Sequence, residues 1–299
     1  MLNPRFRHFL AIDWSGAVGE RHAGIALGLC HAGDEAPCLL RPADHRHWSR
    51  EAVLRYLMED LPPDTLVGLD LGMALPFADA GAFFPGWSDS PASAHELWRL
   101  VDEICAADAH LSASSFVDHL DLSAYFRRHG GREGDRFHAA DALHRRGRFR
   151  RTEVAQERMG CRPYSNFNLV GAAQVGKSSL TGMRLLHRLR RSTFVWPFDG
   201  LDLPEGGSVI VEIYTTIAAM AAGRGAGRSK IRDGSALDKA LHNLGSRAAH
   251  LDGAIDDHRA DALITAAWLR LHASNPALWR PRELDETIAR TEGWTFGAA

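Results

Sequence analysis

The period of the apolar positions changes along the chain, and each change marks an element. Residues 8–13, HFLAID, form a continuous apolar run closed by an acid, which predicts a short buried strand. Residues 22–30 (HAGIALGLC) and 38–41 (CLLR) predict two more strands, and the short connections favour an antiparallel meander. Ser49 suits a helix N-cap, and Val53, Leu54, Leu57, Met58 and Leu61 recur at helical spacing until Pro62 and Pro63 stop them. Residues 65–71, TLVGLDL, return to a buried strand, so the order so far is β-β-β-α-β.

Residues 77–204 differ in texture, with Gly, Pro and Ser loops and a helix expected over 93–107. After Pro204, the run SVIVEIY (208–214) reads as another buried strand. A glycine- and arginine-rich loop (223–234) and a helix over 236–250 follow. The last expected helix covers 256–272, where Leu263, Ile264, Ala267 and Leu271 share one side, and Asn275 and Pro276 end it.

Length and composition narrow the classes. A chain of 299 residues is one core with a large insertion, or two domains. Hydrophobic residues at 45% and charged residues at 24% exclude a disordered chain, a collagen and a coiled coil. No apolar run reaches the roughly 18–20 residues of a membrane span, and none near the start has signal-peptide length. Cys30, Cys38, Cys105 and Cys161 form no CxxC pair, so a reduced cytoplasmic protein is expected and cysteine-bound zinc is not. The net charge of −2 gives no global pull toward nucleic acid, although local patches escape that total.

The chemistry sits in acids on apolar elements. Asp13 and Asp70 each close an apolar strand. Burying a carboxylate costs several kcal/mol unless it is paired or binds a cation. Either residue alone reads equally as a turn former. Two of them on neighbouring strands would repel and raise each other's pKa unless a metal neutralised them. His258 and Asp261 lie three apart, and Asp257 and Asp261 four apart, so either pair shares a face of the last helix. Asp256 reads as a cap favoured by the helix dipole. Glu212, mid-strand between apolar neighbours, is either salt-bridged to an arginine of 77–204 or a further member of the acidic set.

Together these motifs resemble the ribonuclease H-like superfamily. HRADAL is similar to the last-helix motif of its Holliday-junction resolvase branch, with His258 and Asp261 at the closing pair. More narrowly, AIDWSG, GLDLGMALP, VEIY and DHRADALITAAW resemble an uncharacterised family of predicted ribonuclease H-like nucleases, a domain of unknown function. The resemblance covers about residues 8–76 and 205–275, with a looser likeness around LVGAAQVGKSSLTGMRLLHRLR. It implies an α/β fold with a mixed five-stranded sheet in the order 3-2-1-4-5, flanked by helices. Residues 1–76 and 205–275 would form the core, 77–204 a mainly helical insertion between strands 4 and 5 for substrate contacts, and 276–299 a C-terminal extension.

The resemblance also implies a nuclease using two Mg2+ or Mn2+ ions. Asp13, Asp70, Asp261 and Asp257 would be metal ligands, with His258 and Glu212 as further catalytic residues. Two such ions about 3.5–4 Å apart activate a water and stabilise the leaving oxygen of a phosphodiester. The partner would be nucleic acid, RNA or DNA, with no membrane involved.

A rival motif lies in 171–178, GAAQVGKS, which matches the P-loop pattern and opens the reading of an ATP-binding phosphotransferase. Its other reading is a glycine-rich turn beside the substrate groove, with Gln174 and Lys177 as substrate contacts. The basic runs HRRGRFRR (144–151) and RLLHRLRR (184–191) could bind a phosphate backbone or form solvated faces. Arg150 and Arg151 are the candidates to test first, with Phe149 and Phe167 as possible stacking platforms. A third reading is an inactive module that binds nucleic acid.

Overall fold

A computed structural model describes residues 5–138, 147–170, 174–224, 231–251 and 253–299. Six strands form one mixed sheet: β1 His8–Asp13, β2 Ala26–His31, β3 Cys38–Leu40, β4 Thr65–Asp70, β5 Phe194–Val195 and β6 Val209–Glu212. Their order is β3-β2-β1-β4-β6-β5. The pairs β1–β2 and β2–β3 are antiparallel, whereas β1–β4, β4–β6 and β6–β5 are parallel.

The helices that matter for the site are α1 Arg50–Arg55, α2 Ala94–Ile104, α3 Arg151–Arg158, α4 Val175–Leu189, α5 Thr215–Ala221, α6 Gly234–Asn243, α7 Asp257–His272 and α8 Glu286–Thr291. Several boundaries depart from the sequence pattern for local reasons. A turn at His22–Ile25 delays the second strand to Ala26, and Arg21–His22 pairs instead with Trp48–Ser49 in a small ribbon. The first helix caps on Ser49, whose hydroxyl accepts from Ala52 N, and finishes as a π turn over Tyr56–Asp60. α6 stops at Asn243, short of the expected 250, because Gly245 at φ +69° reverses the chain.

The sheet is covered on both faces, and strand alternation decides what each face holds. Leu10, Ile12, Val67, Leu69 and Ile210 point to one side, where they meet Phe83, Trp98, Leu180 and Leu185 from residues 77–204. Phe9, Ala11, Leu66, Val209 and Val211 point to the other, against Leu263, Ala267 and Trp268 of α7 and Trp294 and Phe296 near the C-terminus. α7 can approach β2 closely because Gly28 presents no side chain there: a Cβ would lie 2.5 Å from Ala262 O. Among the described residues no helix is long and apolar enough to cross a membrane, and the four cysteines are free thiols.

Candidate functional site

The site is built where β1 and β4 end side by side. Asp13 and Asp70 occupy paired positions in these parallel strands. Asp13 has the parity of Phe9 and Ala11, and Asp70 that of Leu66 and Gly68, so both side chains turn toward the face that α7 covers. Asp256 caps α7 through Arg259 N, as the dipole reading expects. The first turn of α7 then brings His258, and the next turn Asp261, to the strand ends.

His258 Nδ1 donates to Asp13 Oδ2 at 3.0 Å, with the imidazole half exposed and Asp13 buried. Asp70 accepts from Thr215 N and Thr215 Oγ1, both at 3.3 Å, from the start of α5. The threonine is a contact that the sequence reading missed, and VEIYTT carries no local signal for it.

The electrostatics follow from this crowding. Burial pushes the Asp70 carboxyl well above the usual range, and the charges of Asp13 and Asp261 push it further. Burial and then the charges of Asp13 and Asp257 raise Asp261 to about 6, against which Arg224 works. Burial likewise raises Asp13, although the bond from His258 opposes it. His258 is raised in turn, first by its hydrogen bond to Asp13. Asp13, Asp70, Asp261 and His258 therefore gather as the sequence suggested, with Asp257 near enough to act on two of them.

Oxygen donors of this kind suit a hard cation such as Mg2+ or Mn2+. Magnesium commonly uses one or two carboxylates and fills its shell with waters and substrate oxygens. Among the described residues no group of three or more His, Cys, Asp or Glu side chains is placed to hold a metal ion. The donor chemistry fits the cation, while a closed protein cage for it is not preformed.

Glu212 does not join this set. It lies opposite Leu69 on β6 and shares the parity of Ile210, so it faces the other side of the sheet. There it accepts from Arg150 Nη1 and Nη2 at 2.7 and 2.6 Å and from Met73 N at 2.7 Å. Arg150 is buried and also paired to Glu153 Oε1 at 2.5 Å, so the salt-bridge reading of Glu212 prevails. The Arg150 guanidinium is a buried counter-charge to two glutamates, and Arg150 and Glu212 both line the cavity beside Asp70.

Other basic-run assignments change in the same way. Arg148 is buried against Asp79 and three backbone carbonyls, and Arg184 against Asp102 and two. Phe149 and Phe167 are buried and stack on no incoming base. Arg151 is exposed, and its backbone N–H donates to Glu292 Oε2 at 2.7 Å. Residues 144–146 of the first run lie outside the described residues.

A cavity of about 390 Å³ opens beside Asp70, lined by Trp14, Gly16, Tyr164, Asn166, Gln174 and Tyr214 among others. Asp13 and Asp261 do not line it, so it flanks the carboxylates rather than containing them. Gln174 lines this cavity. Lys177 lines a neighbouring cavity on the first turn of α4. Of the P-loop-like segment, 171–173 lie outside the described residues. The preceding residues 165–170 contribute an isolated bridge, Arg127–Asn168, where a P-loop has a sheet strand. Comparison of this chain with protein-family models, curated proteins and solved structures finds no match.

Proposed function

We propose that this chain is a divalent-cation-dependent nuclease with a ribonuclease H-like core. The observation that carries the reading is the convergence of Asp13, Asp70 and Asp261 from two adjacent strands and one helix, with their carboxyls raised first by burial and then by neighbouring acidic charges. Clustered carboxylates with no nearby cation are costly, and a divalent ion relieves that cost. The sheet order supports the same reading. Without the edge strand β5, the order β3-β2-β1-β4-β6 is compatible with the 3-2-1-4-5 pattern expected of that superfamily.

Asp13, Asp70 and Asp261 would hold Mg2+ or Mn2+, with Asp257 at the margin. Bound ions supply Lewis acidity toward a phosphodiester oxygen and a water of lowered pKa. His258 orients Asp13 through its Nδ1 hydrogen bond. That hydrogen bond, more than any other cause, raises the imidazole above its ordinary pKa. Thr215 fixes the rotamer of Asp70. The cavity beside Asp70 would take the strand next to the scissile phosphate.

Purified protein is expected to cleave RNA or DNA oligonucleotides in Mn2+, and Asp13→Asn is expected to abolish that cleavage. Wild-type and Asp13→Asn protein cleaving equally would remove the assignment. Strand binding with no turnover in either would leave an inactive binding module.

A further inference from the structure

A second cavity, of about 250 Å³, lies on the far side of the loop that follows Asp13. It shares Gly16 and Ala17 with the cavity beside Asp70, so the two cavities adjoin the same loop. Three residues of extended chain separate Asp13 from Gly16, a reach of at most about 10 Å. The loop can lie this close to α4 only because residue 16 is glycine: a Cβ would stand 2.3 Å from the backbone of Lys177. Buried Arg50 fixes the loop from behind. It donates to Ser15 O at 3.0 Å, to Ala17 O, and to His110 O at 2.7 Å, tying the loop to the segment before Ser112.

The walls of this cavity are of two kinds. Val18, Val117 and Leu180 make an apolar side, and Val18 is 86% exposed. Lys177, Arg128 and Arg132 make a cationic side. Arg128 is neutralised by Asp118, another lining residue. Lys177 and Arg132 have no ion-pair partner among the described residues. Two like charges lining one concave site without a counter-charge repel each other, and an anion relieves them.

We propose that this cavity binds one unpaired nucleotide of the substrate strand, adjacent to the scissile phosphate. The phosphate meets Lys177 and Arg132, and the base lies on the apolar side. A volume of about 250 Å³, just below the roughly 300–1,000 Å³ of drug-sized sites, suits a single small unit. The choice of a polymer rather than a free nucleotide rests on the nuclease reading.

The test is fluorescence anisotropy of a short labelled oligonucleotide, as RNA and as DNA, with EDTA present so that binding is read without turnover. Lys177→Gln combined with Arg132→Gln is expected to weaken single-strand binding. It should lower the slope of log affinity against log salt by about 1.4, two contacts at about 0.7 each. Lys177→Arg should restore most of one contact, which separates lost charge from lost fold. The same sequence as a blunt duplex should show no such loss.

Unchanged affinity and slope in the double glutamine variant would overturn the subsite. So would an equal loss on the duplex, or ATP competing as well as the strand does. Asp13-dependent cleavage with unchanged strand binding would remove the subsite and spare the nuclease reading. Lys177-dependent strand binding without any cleavage would do the reverse.

Discussion

Asp13 and Asp70 face each other in register at the ends of two adjacent parallel strands, and the alternation of each strand turns both toward α7. His258 on that helix donates to the buried partner, Asp13, at 3.0 Å. A strand pair, a helix and a hydrogen bond thus fix the carboxylates before any ligand arrives. Asp261 completes the cluster from the next turn of α7, where its charge raises Asp70.

His258 acts on Asp13 and not on the sheet core, since its side chain is half exposed. His258→Ala is therefore expected to fold normally. Loss of a partner that orients a ligating group typically costs about 10–100-fold in metal affinity or activity. Mn2+ concentration curves of cleavage should shift by that factor. An unchanged midpoint would show that Asp13 needs no orienting partner.

The raised carboxyls set a pH dependence. Asp261 in the folded protein titrates at about 6, above its ordinary 3.8. Between those values the folded state keeps a proton that the unfolded chain has lost. Without metal, this contribution to stability is therefore largest at low pH and falls as pH rises through that window. Added Mn2+ should raise the melting temperature at about pH 7.5, where Asp261 is ionised, and have little effect at about pH 4.5. Equal stabilisation at both values in thermal scans would exclude the aspartates as its source.

On the opposite face, Arg150 carries the charge balance of Glu153 and Glu212. Arg150→Met leaves two buried carboxylates without a counter-charge, a loss of about 3–5 kcal/mol. Exposed Arg151→Ala should stay within about 0.5 kcal/mol of wild type. Urea unfolding midpoints compare the two. Equal midpoints would return Arg150 to the surface role that its basic neighbours suggest.

The aspartates were legible in the sequence because each closes an apolar run, where a lone acid is conspicuous. Glu212 was ambiguous because its neighbours in SVIVEIY are apolar on both sides, so the strand's own alternation does not say which face it takes. Register against β4 decides that, and register is a long-range property. The arginine runs misled for a related reason. Arg148, Arg150 and Arg184 look like a solvated charge cluster locally, yet each reaches an acid or carbonyls contributed by another part of the fold. The edge strand Phe194–Val195 is too short to show a period. The buried Trp294 and Phe296 lie in an irregular segment that no periodic pattern marks.

Calorimetric titration of Mn2+ into the metal-free protein at about pH 7.5, above the value of about 6 at which Asp261 titrates, tests the cluster most directly. Wild-type protein is expected to give saturable binding, and a folded Asp13→Asn/Asp70→Asn double variant none. Identical heats in the two proteins, or no binding to the wild type, would contradict a divalent-cation role for these carboxylates.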